Sequence, residues 1–203
     1  MRTLCGAIAT VTLIFVSFCS AASAVTVTFN DLPGPNEAPF VTYSEAGFSI
    51  ARTGGSPEQG LVFGNPEPSV IIAAPLFSPV AGTVDTTVSA GGTFTFSSMD
   101  LASNNGVSSS FSAQGFLGAT SRYNFAGTVP SIPGFGFVTE NNPFSGVVID
   151  RLRITVTPGT GVFSDNLDNI AVTRAAVPEP TTLLLLGGGL GGLALVRRLR
   201  RSA

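Results

Sequence analysis

The stretch Val147-Val148-Ile149-Asp150-Arg151-Leu152-Arg153-Ile154-Thr155-Val156-Thr157 carries the clearest pattern in the chain. Val148, Asp150, Leu152, Ile154 and Val156 share one face, while Arg151, Arg153, Thr155 and Thr157 share the other; this period of two is that of a half-buried strand. The apolar row ends in a carboxylate, so Asp150 is expected either at a sheet rim or buried with a partner, and the arginines opposite read as solvated. The same alternation recurs in Val25-Thr26-Val27-Thr28-Phe29 and Thr93-Phe94-Thr95-Phe96. Further strand candidates are Gly47 to Ala51, Leu61 to Gly64, Val70 to Ala73, Thr83 to Ser89, Ser109 to Leu117, Thr120 to Phe125, Phe135 to Thr139 and Leu167 to Thr173. Turn-forming clusters such as Pro33-Gly34-Pro35-Asn36, Gly54-Gly55-Ser56-Pro57 and Asn104-Asn105-Gly106 separate them. With no helical apolar stripe between them, the pattern predicts an all-β, antiparallel β-sandwich of roughly ten strands with jelly-roll-like topology.

Both ends of the chain read differently. Residues 1 to 24 begin with a single basic residue, Arg2, continue through the apolar run Leu4 to Phe18, and finish in Ala22-Ser23-Ala24. Small residues at Ala22 and Ala24 are what a signal peptidase reads, so the leader is expected to be cut before Val25. A membrane anchor is the competing reading of that run, and its shortness and small-residue ending weigh against it. Cys19 follows the bulky Phe18 and so makes a poor lipid acceptor. Cys5 and Cys19, the only cysteines, would both leave with the leader, and the mature chain would hold no disulfide.

At the other end, Val177-Pro178-Glu179-Pro180 is followed by an uncharged segment, Thr181 to Val196, and then by Arg197, Arg198, Arg200 and Arg201 around Leu199. Sixteen helical residues rise roughly 24 Å, slightly short of a ~30 Å hydrocarbon core, so snorkelling arginines would complete a transmembrane helix and hold its end on the cytoplasmic side. This order of Pro-Glu-Pro box, short apolar segment and Arg cluster resembles the PEP-CTERM sorting signal of secreted bacterial proteins. The resemblance implies processing by an exosortase, a membrane-embedded cysteine protease of Gram-negative bacteria that make exopolysaccharide. On that reading the precursor is tethered to the inner membrane until the cut, then passes to the cell surface or extracellular matrix; a permanent single-pass anchor is the alternative. The expected layout is a signal peptide (1–24), a sandwich module (25–176) and the sorting signal (177–203).

Composition narrows the chemistry. The chain has no His, and all ten of its basic residues are Arg. That removes the usual general base, the commonest zinc ligand, and any Schiff-base or phosphate-binding lysine. Between residues 25 and 176 five arginines face eleven acids, a net charge of −6, which repels phosphate backbones and argues against nucleic acid as a partner.

The segment Phe163 to Val172 resembles the closing strand of secreted jelly-roll modules, in which an acidic-Asn pair precedes an apolar run. In carbohydrate-binding sandwiches with this ending the resemblance implies a structural calcium between first and last strands. Asp31, Asp165, Asp168 and Asn169 have the hard oxygens Ca2+ takes. The competing reading makes Asp165 and Asn166 an Asx turn and Asp168 a hairpin cap. Catalysis would have to rest on carboxylates, with Tyr43 beside Glu45 and Tyr123 beside Arg122 the only tyrosine neighbourhoods, and no spacing selects them.

The expectation is therefore a noncatalytic, exported surface or matrix protein associated with exopolysaccharide; the alternatives are a carbohydrate-binding module with structural calcium, then a carboxylate-based glycan-active enzyme. A binding module would expose aromatics on a sheet face or loop rim, with Phe135, Phe137 and Phe144 the candidates, whereas a structural module would bury nearly all its Phe.

Overall fold

The computed structural model describes residues 22–62, 67–73, 81–89, 91–104, 107–129, 131, 136–162, 164–175 and 189. The sorting-signal residues Val177 to Pro180 and Arg197 to Arg201, the proposed membrane segment and most of the leader lie outside them. Among the described residues no helix is long and apolar enough to cross a membrane.

Among the described residues, alternating apolar and polar side chains produce twelve strands within one compact unit, Ala22–Ala175. They are β1 (Ala24–Val27), β2 (Thr42–Glu45), β3 (Phe48–Gly54), β4 (Pro57–Gly60), β5 (Ser69–Ala73), β6 (Gly82–Val88), β7 (Phe94–Ser103), β8 (Ser109–Leu117), β9 (Thr120–Val129), β10 (Val138–Asn141), β11 (Arg151–Thr157) and β12 (Ser164–Arg174). One sheet runs β10-β7-β12-β5-β4, with β1 also paired to β12, and the second runs β2-β3-β6-β11-β8-β9. Every ladder between these strands is antiparallel, as the alternation predicts. The inner faces of both sheets meet in one core that includes Val27, Phe94, Phe96, Leu101, Leu167 and Val172 from the first and Phe48, Ile50, Val84, Phe111, Leu152 and Ile154 from the second. Edge-to-face contacts such as Phe48 on Phe94, at 5.4 Å between centroids, tie the sheets across that core.

The decisive stretch behaves as expected only in its second half. Leu152, Ile154 and Val156 are buried, but the strand begins at Arg151 and Val148 is 41% exposed in the irregular segment before it. Ile149 instead pairs backbone to backbone with Phe94 of the first sheet, which pulls residues 147–149 out of the ladder. Asp150 is a rim residue: its Oδ2 accepts a 2.6 Å bond from the Gly118 N–H and closes the β8–β9 turn. Two strands escape the sequence pattern. β2 is short, and β4 sits four residues before the expected Leu61 to Gly64, at Pro57-Glu58-Gln59-Gly60. β4 exists because it lies at a sheet edge, where a Pro need not donate to a ladder.

Candidate functional site

The outer face of the second sheet is built from short polar side chains in register. Cross-strand pairing places Ser44, Ser49, Thr87, Arg151, Phe116 and Ser121 in one row across all six strands. The next row holds Thr42, Ala51, Asp85, Arg153, Gln114 and Asn124. A third contains Thr83, Thr155 and Ser112, with the Thr83 and Thr155 hydroxyls 3.1 Å apart. The face is thus a field of hydroxyls and amides, able to donate and accept hydrogen bonds over its whole width.

At its centre lies a charged and aromatic layer. Arg153 grips Asp85 in a two-pronged fork, Nε to Oδ1 and Nη2 to Oδ2, both at 2.8 Å. Arg151 stands 3.6 Å from the same carboxylate, and the Thr53 hydroxyl donates to Oδ1 at 3.3 Å. Asp85 raises the affinity of Arg153 for its proton, chiefly through the hydrogen bonds. The Arg151 guanidinium lies 4.3 Å above the Phe116 ring and that of Arg153 lies 5.8 Å away, so both cations rest on one aromatic face. The arginines are therefore organised by a carboxylate and a ring; they are not the freely solvated pair that alternation alone suggests. Roughly a third of each arginine side chain stays open to solvent.

The expected calcium ligands are divided. Asp31 is exposed in a turn, its backbone N–H donating to the Tyr43 hydroxyl at 3.3 Å. Asp165 is fully buried, shares the core face with Leu167, and neither carboxylate oxygen accepts a hydrogen bond. Burial, only partly offset by the hydroxyls of Ser109 and Ser103, pushes its pKa up to about 6. Asp168 is buried too, accepts a 2.7 Å bond from the Asn169 N–H, and is raised to about 7 first by burial and then by the charges of Asp100 and Glu45. Asn169 has a positive φ of 47° in the β12 bulge and donates from Nδ2 to Asp100 at 2.8 Å. Among the described residues no group of three or more acidic, His or Cys side chains is arranged to hold a metal ion. Asp165 and Asn166 lie inside β12 and form no turn there, and Asp168 and Asn169 lie in the same strand at its bulge, so Asp168 bonds the Asn169 N–H locally and caps no hairpin.

The other sequence candidates resolve as follows. Tyr43 donates to Glu45 at 3.2 Å, and Glu45 also accepts from the Thr28 N–H and hydroxyl and the Phe29 N–H, so this pair holds the chain leaving β1. Tyr123 is buried, and burial raises its pKa. Phe144 is 41% exposed and stacks on Tyr123 at 5.5 Å and 14°, while Phe137 is half-buried and Phe135 lies outside the described residues. Ala22 is exposed, and Ala24 opens β1. Asp85 and Phe116 went unremarked in the sequence because their importance depends on partners brought beside them by strand register.

Residues 176–201 match the PEP-CTERM protein-sorting motif, which marks an exported, exosortase-processed chain. No curated relative matches the sequence. Solved structures with a similar fold include a family 29 carbohydrate-binding module from Piromyces equi, 14% identical over 79% of this chain and 95% of that one, with a TM-score of 0.46. A family 61 module solved with β-1,4-galactotriose is 11% identical over 73% and 99%, with a TM-score of 0.40. The Clostridium thermocellum xylanase 10B modules complexed with xylohexaose are 12% identical over 74% of this chain and 28% of that one, with a TM-score of 0.38. Similarity this low says nothing of a ligand for this chain.

Proposed function

We propose that this chain, which carries the PEP-CTERM motif, is a noncatalytic surface or matrix protein that associates with exopolysaccharide through the outer face of its second sheet. The observation that carries the reading is the cross-strand field of hydroxyls and amides around the Phe116, Arg151, Arg153 and Asp85 layer. A polysaccharide offers hydroxyls at short intervals along a chain, and a sheet face with donors and acceptors in every row can meet them without a deep pocket. The precursor is held in the inner membrane by residues 181–196, with Arg197, Arg198, Arg200 and Arg201 on the cytoplasmic side, until the exosortase acts. A noncatalytic role is supported by how the carboxylates are used: Asp85, Asp100, Asp150 and Glu45 all accept structural hydrogen bonds.

The test is affinity electrophoresis of the mature secreted chain through gels containing exopolysaccharide from the producing cells. Retardation is expected for the wild type and should fall several-fold for Gln114→Ala combined with Phe116→Ala, at about 0.5–1.5 kcal/mol per lost hydrogen bond. Equal retardation of the two proteins would remove this face from the proposal.

The second reading, a carbohydrate-binding module with structural calcium, draws on the exposed ring of Phe144, backed by Tyr123. Calcium bound only by the folded chain would raise the melting temperature by roughly 5 to 10 °C at a hundredfold excess over Kd. A melt in millimolar calcium and in EDTA separates the readings, since coincident curves remove the calcium and leave Asp168 and Asn169 with only their places in the β12 bulge.

A further inference from the structure

The first and last strands of the unit lie side by side. β1 pairs with the end of β12 through Ala24↔Thr173, Val25↔Val172, Thr26↔Ala171 and Val27↔Ile170. The ladder continues one step beyond, where the Arg174 N–H donates to the Ser23 carbonyl at 3.1 Å. On its other flank the chain stays in the sheet through Ala175, whose N–H donates to the Thr93 carbonyl at 2.9 Å. Bonded and non-bonded pairs alternate in an antiparallel ladder, so the Arg174–Ser23 bond makes Val25/Val172 and Val27/Ile170 the next bonded pairs. Val27 is also fully buried in the core.

Two addresses meet at this ladder. The bond between Ala24 and Val25, where the leader is expected to be cut, lies inside it, and the sorting motif begins at residue 176, immediately after its far end. A peptidase needs its substrate segment unpaired, and a bond inside a closed ladder is reachable only when that ladder opens. β12 is the last of the described strands to leave the ribosome, so β1 has no partner there until the module is almost complete.

We propose that closure of the β1–β12 ladder orders the two proteolytic cuts. The Ala24–Val25 bond is hydrolysed before closure: water adds its oxygen to the Ala24 carbonyl carbon, the C–N bond breaks, and the proton goes to the new Val25 amine. After that cut β1 begins at Val25 and the closed ladder holds β12 as far as Val172, while the β7 side holds the chain through Ala175 by its N–H bond to the Thr93 carbonyl, so the sorting cut falls at or beyond the Ala175–Ala176 bond. This rests on the reading that the chain is cut at both ends.

The experiment uses the full-length precursor in detergent with purified signal peptidase. Wild-type chain diluted from urea directly into the peptidase should be cut after Ala24, and chain allowed to fold first should be cut more slowly by on the order of tenfold or more, because cleavage tracks the open population. Folded Val27→Pro, which loses a ladder N–H, should be cut nearly as fast as the unfolded chain. The wild-type comparison stands even if that variant does not fold. Equal cutting of folded and urea-diluted wild type overturns the ladder's role, whereas failure to cut even the urea-diluted chain overturns the two-cut reading beneath it. Intact mass of the mature protein supplies the other arm: a C-terminus at or beyond residue 175 supports the shield, and one between 170 and 174 overturns it.

Discussion

Asp85 and Asp165 are both carboxylates almost sealed from solvent, one on the outer face of the second sheet and one on the core face of the first. Asp85 receives a two-pronged guanidinium, a hydroxyl and a second cation. Asp165 has no partner in good hydrogen-bond geometry and only the nearby hydroxyls of Ser109 and Ser103 to offset its burial, and the cost appears as a pKa pushed up to about 6. The contrast teaches that equal burial has opposite consequences depending on what register brings alongside: β6 and β11 place Asp85 opposite Arg153, while β7 places Ser103 opposite Asp165.

The largest expected effect comes from removing the fork. Arg153→Ala would move Asp85 toward the situation of Asp165, leaving it only the Thr53 hydroxyl and the looser Arg151. Breaking a fully buried pair costs about 3–5 kcal/mol, but Arg153 keeps a third of its side chain in water, so roughly 2–3 kcal/mol is expected. Urea unfolding checks it, and a shift within error would mean Asp85 is solvated well enough to need no partner. Asp85→Asn combined with Arg153→Ala should recover part of the loss.

The second prediction concerns the unpartnered side. The folded pKa of Asp165 lies near 6 against an ordinary value of 3.8, so the native state holds this proton more tightly than the unfolded chain does. Stability is therefore highest below the unfolded value and falls as pH rises from about 4 to about 6, by up to 1.36 kcal/mol per unit. Asp168, raised to about 7, extends the decline by one more unit in the same direction. The urea midpoint should be higher at pH 5 than at pH 8. Asp165→Asn should raise stability at pH 8 by about 2 kcal/mol, less than the full penalty since the amide is also buried, and should do little at pH 4. A wild-type midpoint that rises with pH across this window would show that Asp165 has found a partner in solution.

The sequence made one half of this contrast visible and hid the other. Alternation in Leu152 to Val156 set the inner and outer faces of β11 correctly, and Ser109 to Leu117 became β8 without change, because side-chain period is local information. Strand neighbours are not local. Asp85 and Arg153 are 68 residues apart, and no period within either strand says that β6 lies beside β11. The same limit misplaced Val148, whose apolar character fits the row but whose neighbour Ile149 is claimed by Phe94 of the other sheet. The adjacency of the first and last strands is in no local period either; the resemblance to carbohydrate-binding sandwiches implied it, and β1 does pair with β12.

The smallest effect sharpens the comparison on a single carboxylate. Arg151 and Arg153 carry the same charge and both face Asp85, yet only Arg153 makes the paired 2.8 Å bonds, while Arg151 approaches no nearer than 3.6 Å. If partnering by geometry is what separates Asp85 from Asp165, then Arg151→Ala should cost far less than Arg153→Ala. Its loose ion pair is worth about 0–1 kcal/mol at this exposure, and its seat on Phe116 adds about 0.5–1 kcal/mol. The ring term can be isolated, because Arg151→Ala in a Phe116→Leu background loses the cation–π contact beforehand and should cost only the ion-pair share. Salt separates the remainder: the ion-pair share shrinks when ionic strength rises from 0.05 to about 0.5 M, whereas the fork of Arg153, being better shielded from water, keeps most of its effect. Equal losses for the two arginines at high salt would mean that net charge over the face, and not the geometry of the fork, keeps Asp85 stable in its buried position.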